Sequence, residues 1–173
     1  MAALDGTRLP PQMRDMAAPS SSERPLTSAE RALARSMFGG AIDLDVVRVH
    51  HRRWFPFQPR DTIMAPDGAI WCHPRGATYR PCFASCGPGD AGLLLHELTH
   101  VWQHQRGIFL PLARHPFCRY AYALVPGRPL HRYGIEQQGE IVRHAWLLRQ
   151  GLPVPGAPPL AAYEAVLPFG SGG

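Results

Sequence analysis

The chain has 173 residues, 45% of them hydrophobic, which fits one folded domain with an apolar core. Its net charge is +5 and all 18 basic residues are arginine, a bias that we interpret as genomic composition more than as a nucleic-acid surface. No apolar run is long enough to cross a bilayer, and the N-terminus lacks the pattern of a secretory signal. We therefore expect no membrane span, and a location in the cytoplasm or export without a conventional signal peptide.

The two ends of the chain differ in composition from its middle. Residues 1–25 are rich in proline, serine and alanine without hydrophobic periodicity, which predicts a flexible N-terminal tail. Residues 152–173 are rich in proline and glycine and are assigned to a C-terminal tail, with one short helix predicted near residues 160–166. The folded domain is therefore predicted to span residues 26–151.

The first half of this domain carries signals for one helix and a small sheet. Thr27 and Glu30 have the spacing of a capping box, so a helix is predicted to start here and to end at Gly39-Gly40. The triplet Pro66-Asp67-Gly68 is a typical hairpin turn between two short apolar runs. Strands are predicted at residues 46–50, 62–65 and 69–72.

Two long helices are predicted in the second half. The first covers residues 90–105, with Asp90 as its N-cap and Gly107 just beyond its C-terminal end. The second covers residues 134–149 and is stopped by Gly151. An irregular, aromatic-rich connection joins the two helices.

The first long helix contains the motif His96-Glu97-Leu98-Thr99-His100. Histidines four residues apart project from one helix face, so both imidazoles can reach a single zinc ion. The glutamate after the first histidine can hold and deprotonate a water molecule on that ion. This pattern predicts a zinc site with Glu97 as general base.

A catalytic zinc usually has three protein ligands, so a third ligand must come from elsewhere in the chain. A third histidine ten residues after the first is excluded, because that position is Arg106. Glu136 and Glu140 lie on one face of the second long helix, and one can bind metal while the other orients a ligating imidazole. Gly139 between them weakens a helix, which predicts a close approach to the motif helix.

With Glu136 and Glu140 downstream, the His-Glu-x-x-His motif resembles the gluzincin clan of zinc metallopeptidases. The resemblance implies that Glu136 is the third ligand and that Glu140 contacts His96. The clan usually has aspartate at the second of these positions, so the roles of the two glutamates remain open to exchange. It also implies that the strand at residues 69–72 is the sheet edge that pairs with an extended peptide.

A further resemblance covers residues 26–34, 96–105 and 133–149. These segments are similar to small bacterial Vgr-related proteins and to metallopeptidase-like domains associated with contractile injection systems. This similarity implies a link to type VI secretion or a related machine.

Several other residues have open roles. A donor for the oxyanion is required besides the metal, and the sequence does not choose among His131, Tyr133, Tyr120 and Arg132. His104 and His144 extend the two polar helix faces and are interpreted as rim and packing residues. The cysteines are interpreted as small thiols, with a disulfide or a second metal site as alternatives: Cys72, Cys82, Cys86 and Cys118.

We therefore predict an α+β, zincin-like domain in which a short antiparallel sheet packs on two long helices that cross at a zinc site. The predicted function is Zn²⁺-dependent hydrolysis of a peptide or protein substrate, with secretion-apparatus proteins as partners. The alternative is a non-enzymatic, zinc-stabilised module of such an apparatus. Nucleic acid and membranes are not expected as partners.

Overall fold

The computed structural model describes residues 22–113 and 120–169, so the prediction for Cys118 lies outside the described residues. A four-stranded sheet and several helices form the described part, a mixed α+β arrangement. None of its helices has the length and apolar character needed to span a bilayer. The strands are β1 (Glu23–Pro25), β2 (Arg48–His50), β3 (Ile63–Met64) and β4 (Ile70–Cys72). The helices are α1 (Ser28–Phe38), α2 (Pro88–Gln105), α3 (Leu110–Ala113), α4 (Ile135–Arg149) and α5 (Leu160–Glu164).

The sheet has the order β1-β2-β4-β3, and it is mixed where the sequence predicted an antiparallel one. The predicted hairpin is confirmed, since β3 pairs antiparallel with β4 across the Pro66-Asp67-Gly68 turn. However, β4 also pairs with β2, and those two strands are parallel. A long connection follows β2. The hairpin of β3 and β4 then joins the sheet through its second strand, β4, which lies beside β2. The prediction that residues 69–72 form the sheet edge is therefore wrong, because β4 lies inside the sheet and its edge strands are β1 and β3.

The helix ends follow local chemistry. The capping box is confirmed at α1, where the Thr27 hydroxyl accepts from the Glu30 backbone and the Glu30 carboxylate accepts from the Thr27 backbone. Helix α2 starts at Pro88, two residues earlier than predicted, because proline fits the first helical position. Asp90 is thus not the N-cap; it lies in the first turn and pairs with Arg80.

Helix α2 ends as predicted at Gly107, whose positive φ of 85° forms a left-handed cap. The Gly107 and Ile108 backbone N–H groups donate to the carbonyls of His104 and Gln103. These two hydrogen bonds form a Schellman motif, which ends the helix beyond the His-Glu-x-x-His residues.

The packed domain extends beyond the predicted boundaries at both ends. Residues 23–25, assigned from the sequence to the N-terminal tail, form β1 and pair with β2. The short helix expected near the C-terminus is α5, and the segment around it buries Tyr163, Val166 and Phe169 in the main core. The proline- and glycine-rich composition of this segment concealed these regularly placed apolar residues.

Helix α2 is the central element of the core, and its most extensive contact is with α4. Every residue from Leu94 to Gln103 is buried, including the polar members of the predicted motif. A continuous apolar cluster on the sheet, α1 and α5 surrounds this pair of helices. The residues of the predicted motif therefore lie on a buried and well-packed helix.

Three of the four cysteines lie in the described part, and all three are free thiols. Cys72 is completely buried in β4, Cys82 is partly buried, and Cys86 is exposed. Burial, together with the nearby negative charge of Glu97, raises the pKa of the Cys72 thiol to about 12. A thiol that stays protonated is a poor metal ligand, which argues against Cys72 in a second metal site.

Candidate metal centre

Helices α2 and α4 bring three predicted ligand residues together. The His96 and His100 Nε2 atoms are 3.2 Å apart, and Glu136 Oε2 lies 3.2 Å from the first and 3.4 Å from the second. All three side chains are almost completely buried. Their ligand atoms lie within 4.8 Å of one another, close enough to hold one metal ion.

Glu140 contacts His96 on the opposite side of the imidazole. Its Oε1 atom lies 2.9 Å from His96 Nδ1, and its Oε2 atom lies 3.2 Å from His144 Nε2. An ionised carboxylate can only accept, so the Glu140 carboxylate holds a hydrogen on His96 Nδ1. Loss of the other ring proton then leaves the lone pair on Nε2, the atom that faces Glu136. The two glutamates therefore occupy different positions, one facing both Nε2 atoms and one behind the His96 ring.

A buried glutamine fixes His100 in the same way. The Gln103 amide nitrogen donates to the Gln138 side-chain oxygen at 2.9 Å and to the Ile135 carbonyl at 3.2 Å. The Gln103 amide oxygen must therefore face His100 Nδ1, which lies 2.8 Å away, and accept its hydrogen. The His100 Nε2 atom is left with a lone pair, like that of His96.

Two imidazole Nε2 atoms and a carboxylate oxygen thus meet in a buried space, an arrangement that favours positive charge, either a proton or a metal ion. Burial alone would lower the pKa of His96, but hydrogen bonds to Glu136 and Glu140 outweigh it and raise the pKa to about 9. The cluster therefore attracts positive charge strongly. Two imidazoles and one carboxylate are also the donor set of many catalytic zinc sites, so the residues fit zinc.

Glu97 lies beside these groups on α2 and is 3% exposed. Its Oε2 atom is buried without a hydrogen-bond partner among the described residues. Glu97 and His96 line a groove of about 440 Å³ that is also lined by Ile63 of β3 and by Asp61 and Thr62, which directly precede this strand. A buried carboxylate oxygen that lacks a partner and faces a groove is suited to accept a proton from a molecule bound there.

Two of the four oxyanion candidates, His131 and Tyr133, are not among the residues that line this groove. Tyr133 is buried in the core, and its hydroxyl accepts a hydrogen bond from the Val125 backbone N–H at 2.8 Å. His131 is exposed on the short 3₁₀ turn before α4 and is not a lining residue. Tyr120 is the sequence candidate that does line the groove, with its ring centroid 6.2 Å from that of His96.

The glycine in α4 is explained by the predicted close approach of the two helices. A Cβ atom at Gly139 would lie 2.7 Å from His96 Cε1 and 2.8 Å from His96 Nδ1. Such distances are shorter than any normal contact, so the imidazole occupies the space that a side chain would need. The helix accepts a cost of about 1 kcal/mol in propensity at this position.

Replacing Gly139 with alanine should therefore weaken zinc binding by at least about tenfold, because the new methyl group displaces the His96 ring. Gly89→Ala is the matched control, since a Cβ at Gly89, in the first turn of α2, would meet no atom within 4 Å. Zinc affinity is measured by competition with a chromogenic chelator. Equal zinc affinity in the Gly139 variant and the parent would contradict the packing argument.

Comparison with known proteins supports a relationship at the level of the whole domain. The solved effector domain of Pseudomonas aeruginosa VgrG2b is similar in structure, with a TM-score of 0.66 and 34% sequence identity. The match covers 78% of this chain and 80% of that domain. The chain belongs to the family of the VgrG2b effector domain.

A curated relative agrees with this assignment, and the predicted resemblance to Vgr-related proteins is confirmed. The type VI secretion system spike protein VgrG2b of Pseudomonas aeruginosa is 39% identical over 140 residues. The alignment covers 72% of this chain but only 13% of the spike protein, so the chain spans a small part of that relative. No family model matches the chain.

Within this VgrG2b-type domain, the structure adds two polar residues that the sequence interpretation missed. Gln103 orients His100, and its position three residues further along α2 was a usable signal, since the two side chains share a helix face. Tyr122 lies 2.6 Å from His144 through its hydroxyl. Nothing in the sequence pattern indicated Tyr122, because it comes from an irregular segment.

Proposed function

We propose that this domain is a zinc-dependent peptidase. The observation that carries the proposal is the meeting of His96 Nε2, His100 Nε2 and a Glu136 oxygen, beside a buried Glu97 oxygen that has no hydrogen-bond partner among the described residues. A structural zinc site needs the three ligands but has no use for a buried general base. The groove and the open strand edge next to Glu97 supply the space for an extended peptide.

In the proposed mechanism, His96, His100 and Glu136 would hold a zinc ion. A bound zinc ion would supply an electrophile that polarises the scissile carbonyl and makes water more acidic. Glu97 accepts the proton from the attacking water and delivers it to the leaving amine. Glu140 and Gln103 keep the two imidazoles in the tautomer that binds metal.

The groove also determines how a peptide is held. The backbone of β3 offers hydrogen bonds to an extended chain, because β3 is an edge strand of the sheet. Tyr120 is 50% exposed above the groove and is the side chain that we assign to contact the reacting carbonyl. The reaction is thus confined to the groove between β3 and Tyr120.

We further propose that the domain acts in the context of type VI secretion. The relative that carries a similar segment is a spike protein of that system, and the solved domain is described as its effector domain. The partners of this chain would then be proteins of the secretion apparatus. Its substrate would be a peptide or protein that the apparatus makes accessible.

Metal content tests the proposal directly. The purified protein should bind about one zinc ion per chain, and zinc at 100 times its dissociation constant should stabilise the fold by about 2.7 kcal/mol. For a domain of this size that is a rise of about 5–10 °C in melting temperature, measured by thermal unfolding with and without chelator. A peptide library is then incubated with the zinc-loaded protein.

Cleavage that stops when zinc is removed and returns when it is restored is the expected result. Zinc binding without any cleavage would favour the non-enzymatic module. A protein that binds no zinc, with unchanged stability after His96→Ala, would contradict both functions.

A further inference from the structure

A chain of hydrogen bonds leads from the metal centre to the C-terminal segment. Glu140 Oε2 lies 3.2 Å from His144 Nε2. His144 Nδ1 lies 2.6 Å from the Tyr122 hydroxyl, which is 2.9 Å from the Tyr163 hydroxyl. Through Glu140 Oε1 the chain reaches His96 Nδ1 at 2.9 Å. Four side chains thus connect His96 to α5.

The hydrogens in these bonds have one consistent arrangement when His144 is neutral. The ionised Glu140 carboxylate accepts at both oxygens, from His96 Nδ1–H and from His144 Nε2–H. The neutral His144 ring then has a lone pair on Nδ1, which accepts the Tyr122 O–H. The Tyr122 oxygen in turn accepts the Tyr163 O–H. Every donor has one acceptor in this arrangement, and the orientation of each group depends on the next.

The two tyrosines at the far end of this series of hydrogen bonds are held by packing. Tyr163 is 1% exposed, and its ring packs edge-to-face against that of Tyr122. Burial, with a contribution from Tyr163, raises the pKa of the Tyr122 hydroxyl, so this group stays protonated and remains a donor to His144. Arg143 also contacts Glu140, at 3.4 Å, but at Oε1, whereas His144 contacts Oε2.

We propose that His144, Tyr122 and Tyr163 are positioning residues for the metal centre, through which the C-terminal segment sets the affinity of the domain for zinc. The inference rests on the proposed function, because it assigns these residues a role at the same site. They hold the Glu140 carboxylate in the orientation that keeps the His96 hydrogen on Nδ1. They touch neither the metal nor the substrate.

A purely structural role for the aromatic pair would predict a different result. Tyr163→Phe keeps the buried ring and its packing and removes only the hydroxyl that donates to Tyr122. If the residue served packing alone, zinc affinity would not respond to this change. The positioning role requires that it does respond.

The experiment measures zinc affinity by chelator competition on the full chain. His144→Leu should weaken zinc binding by about tenfold, the size of effect seen when the partner of a metal ligand is lost. Tyr163→Phe should weaken it by about threefold, because one hydrogen bond further along the chain is removed. His144→Gln should restore most of the affinity, since its amide can donate to Glu140 and accept from Tyr122.

Two controls use the same residue types outside the chain of hydrogen bonds. His104→Leu changes a histidine that lies against Gly68, and Tyr79→Phe changes a tyrosine that stacks on His51. Both should bind zinc as the parent does. In NMR spectra of the zinc-loaded protein, the His96 Nδ1 proton should exchange with water faster in His144→Leu than in the controls.

The outcomes separate this inference from the proposed function. A parent protein that binds no zinc contradicts the proposed function. A parent that binds zinc, with Tyr163→Phe and His144→Leu both within about twofold of its affinity, overturns the positioning role alone. Because Tyr163→Phe removes a single oxygen atom, it provides this answer even if His144→Leu does not fold.

Discussion

Replacing Glu97 with glutamine is expected to lower peptide hydrolysis about 100-fold to 10,000-fold while one zinc ion stays bound per chain. The amide has almost the same size as the carboxylate, so the buried position beside His96 remains filled. It cannot accept a proton from water, however, and that transfer is the step we assign to Glu97. Because Glu97 is not among the three residues that we propose as zinc ligands, zinc affinity should change little.

The measurement compares initial cleavage rates of the zinc-loaded parent and variant on one peptide, with zinc content determined on the same samples. Glu164→Gln is the matched control, since Glu164 is an exposed glutamate on α5 that pairs with Arg149. This control should cleave at the parent rate. Full activity in the Glu97 variant would exclude the general-base role, whereas loss of zinc would mean that Glu97 supports the metal.

The second large effect is expected at the two glutamates of α4. Glu136→Gln should weaken zinc binding at least about 100-fold, because a ligand is lost from a set whose total binding free energy is about 10 kcal/mol or more. Glu140→Gln should weaken it about tenfold, since the amide oxygen can still accept from His96 Nδ1–H. The difference follows from geometry, because only Glu136 faces both Nε2 atoms.

Chelator competition under identical conditions gives the order of the two affinities. Thermal unfolding of the metal-free proteins serves as the control, since it reports any loss of folding that is unrelated to the ion. The reverse order would mean that Glu140 is the ligand and that Glu136 orients an imidazole, the exchange that the sequence left open.

Local signals in the sequence predicted much of the helical frame. The Thr27 and Glu30 capping box, the left-handed Gly107 and the four-residue spacing of His96 and His100 each depend on interactions within one or two turns. Gly139 predicted a tertiary contact correctly, because an unfavourable residue in a helix requires a compensating reason. The capping box, the helix end and the histidine pair could be predicted because each depends on residues that are close together in the sequence.

The features that the sequence did not reveal depend on distant parts of the chain. β4 lies inside the sheet because it pairs in parallel with β2, and its own sequence would suit an internal strand or an edge strand equally. Tyr122 approaches His144 from an irregular segment without periodicity. Tyr133 does not line the groove, because its hydroxyl is bonded to the Val125 backbone N–H in an irregular segment.

The edge strand β3 has only two residues, Ile63 and Met64, and Pro66 follows shortly after. A long exposed edge would invite a second copy of the sheet to add to it, and so promote aggregation. An edge of two residues offers too few backbone hydrogen bonds to sustain such an association. An extended peptide of the kind that we propose as substrate would gain side-chain contacts in the groove in addition to the few backbone hydrogen bonds of β3. The short length of β3 thus disfavours edge-to-edge association through this strand.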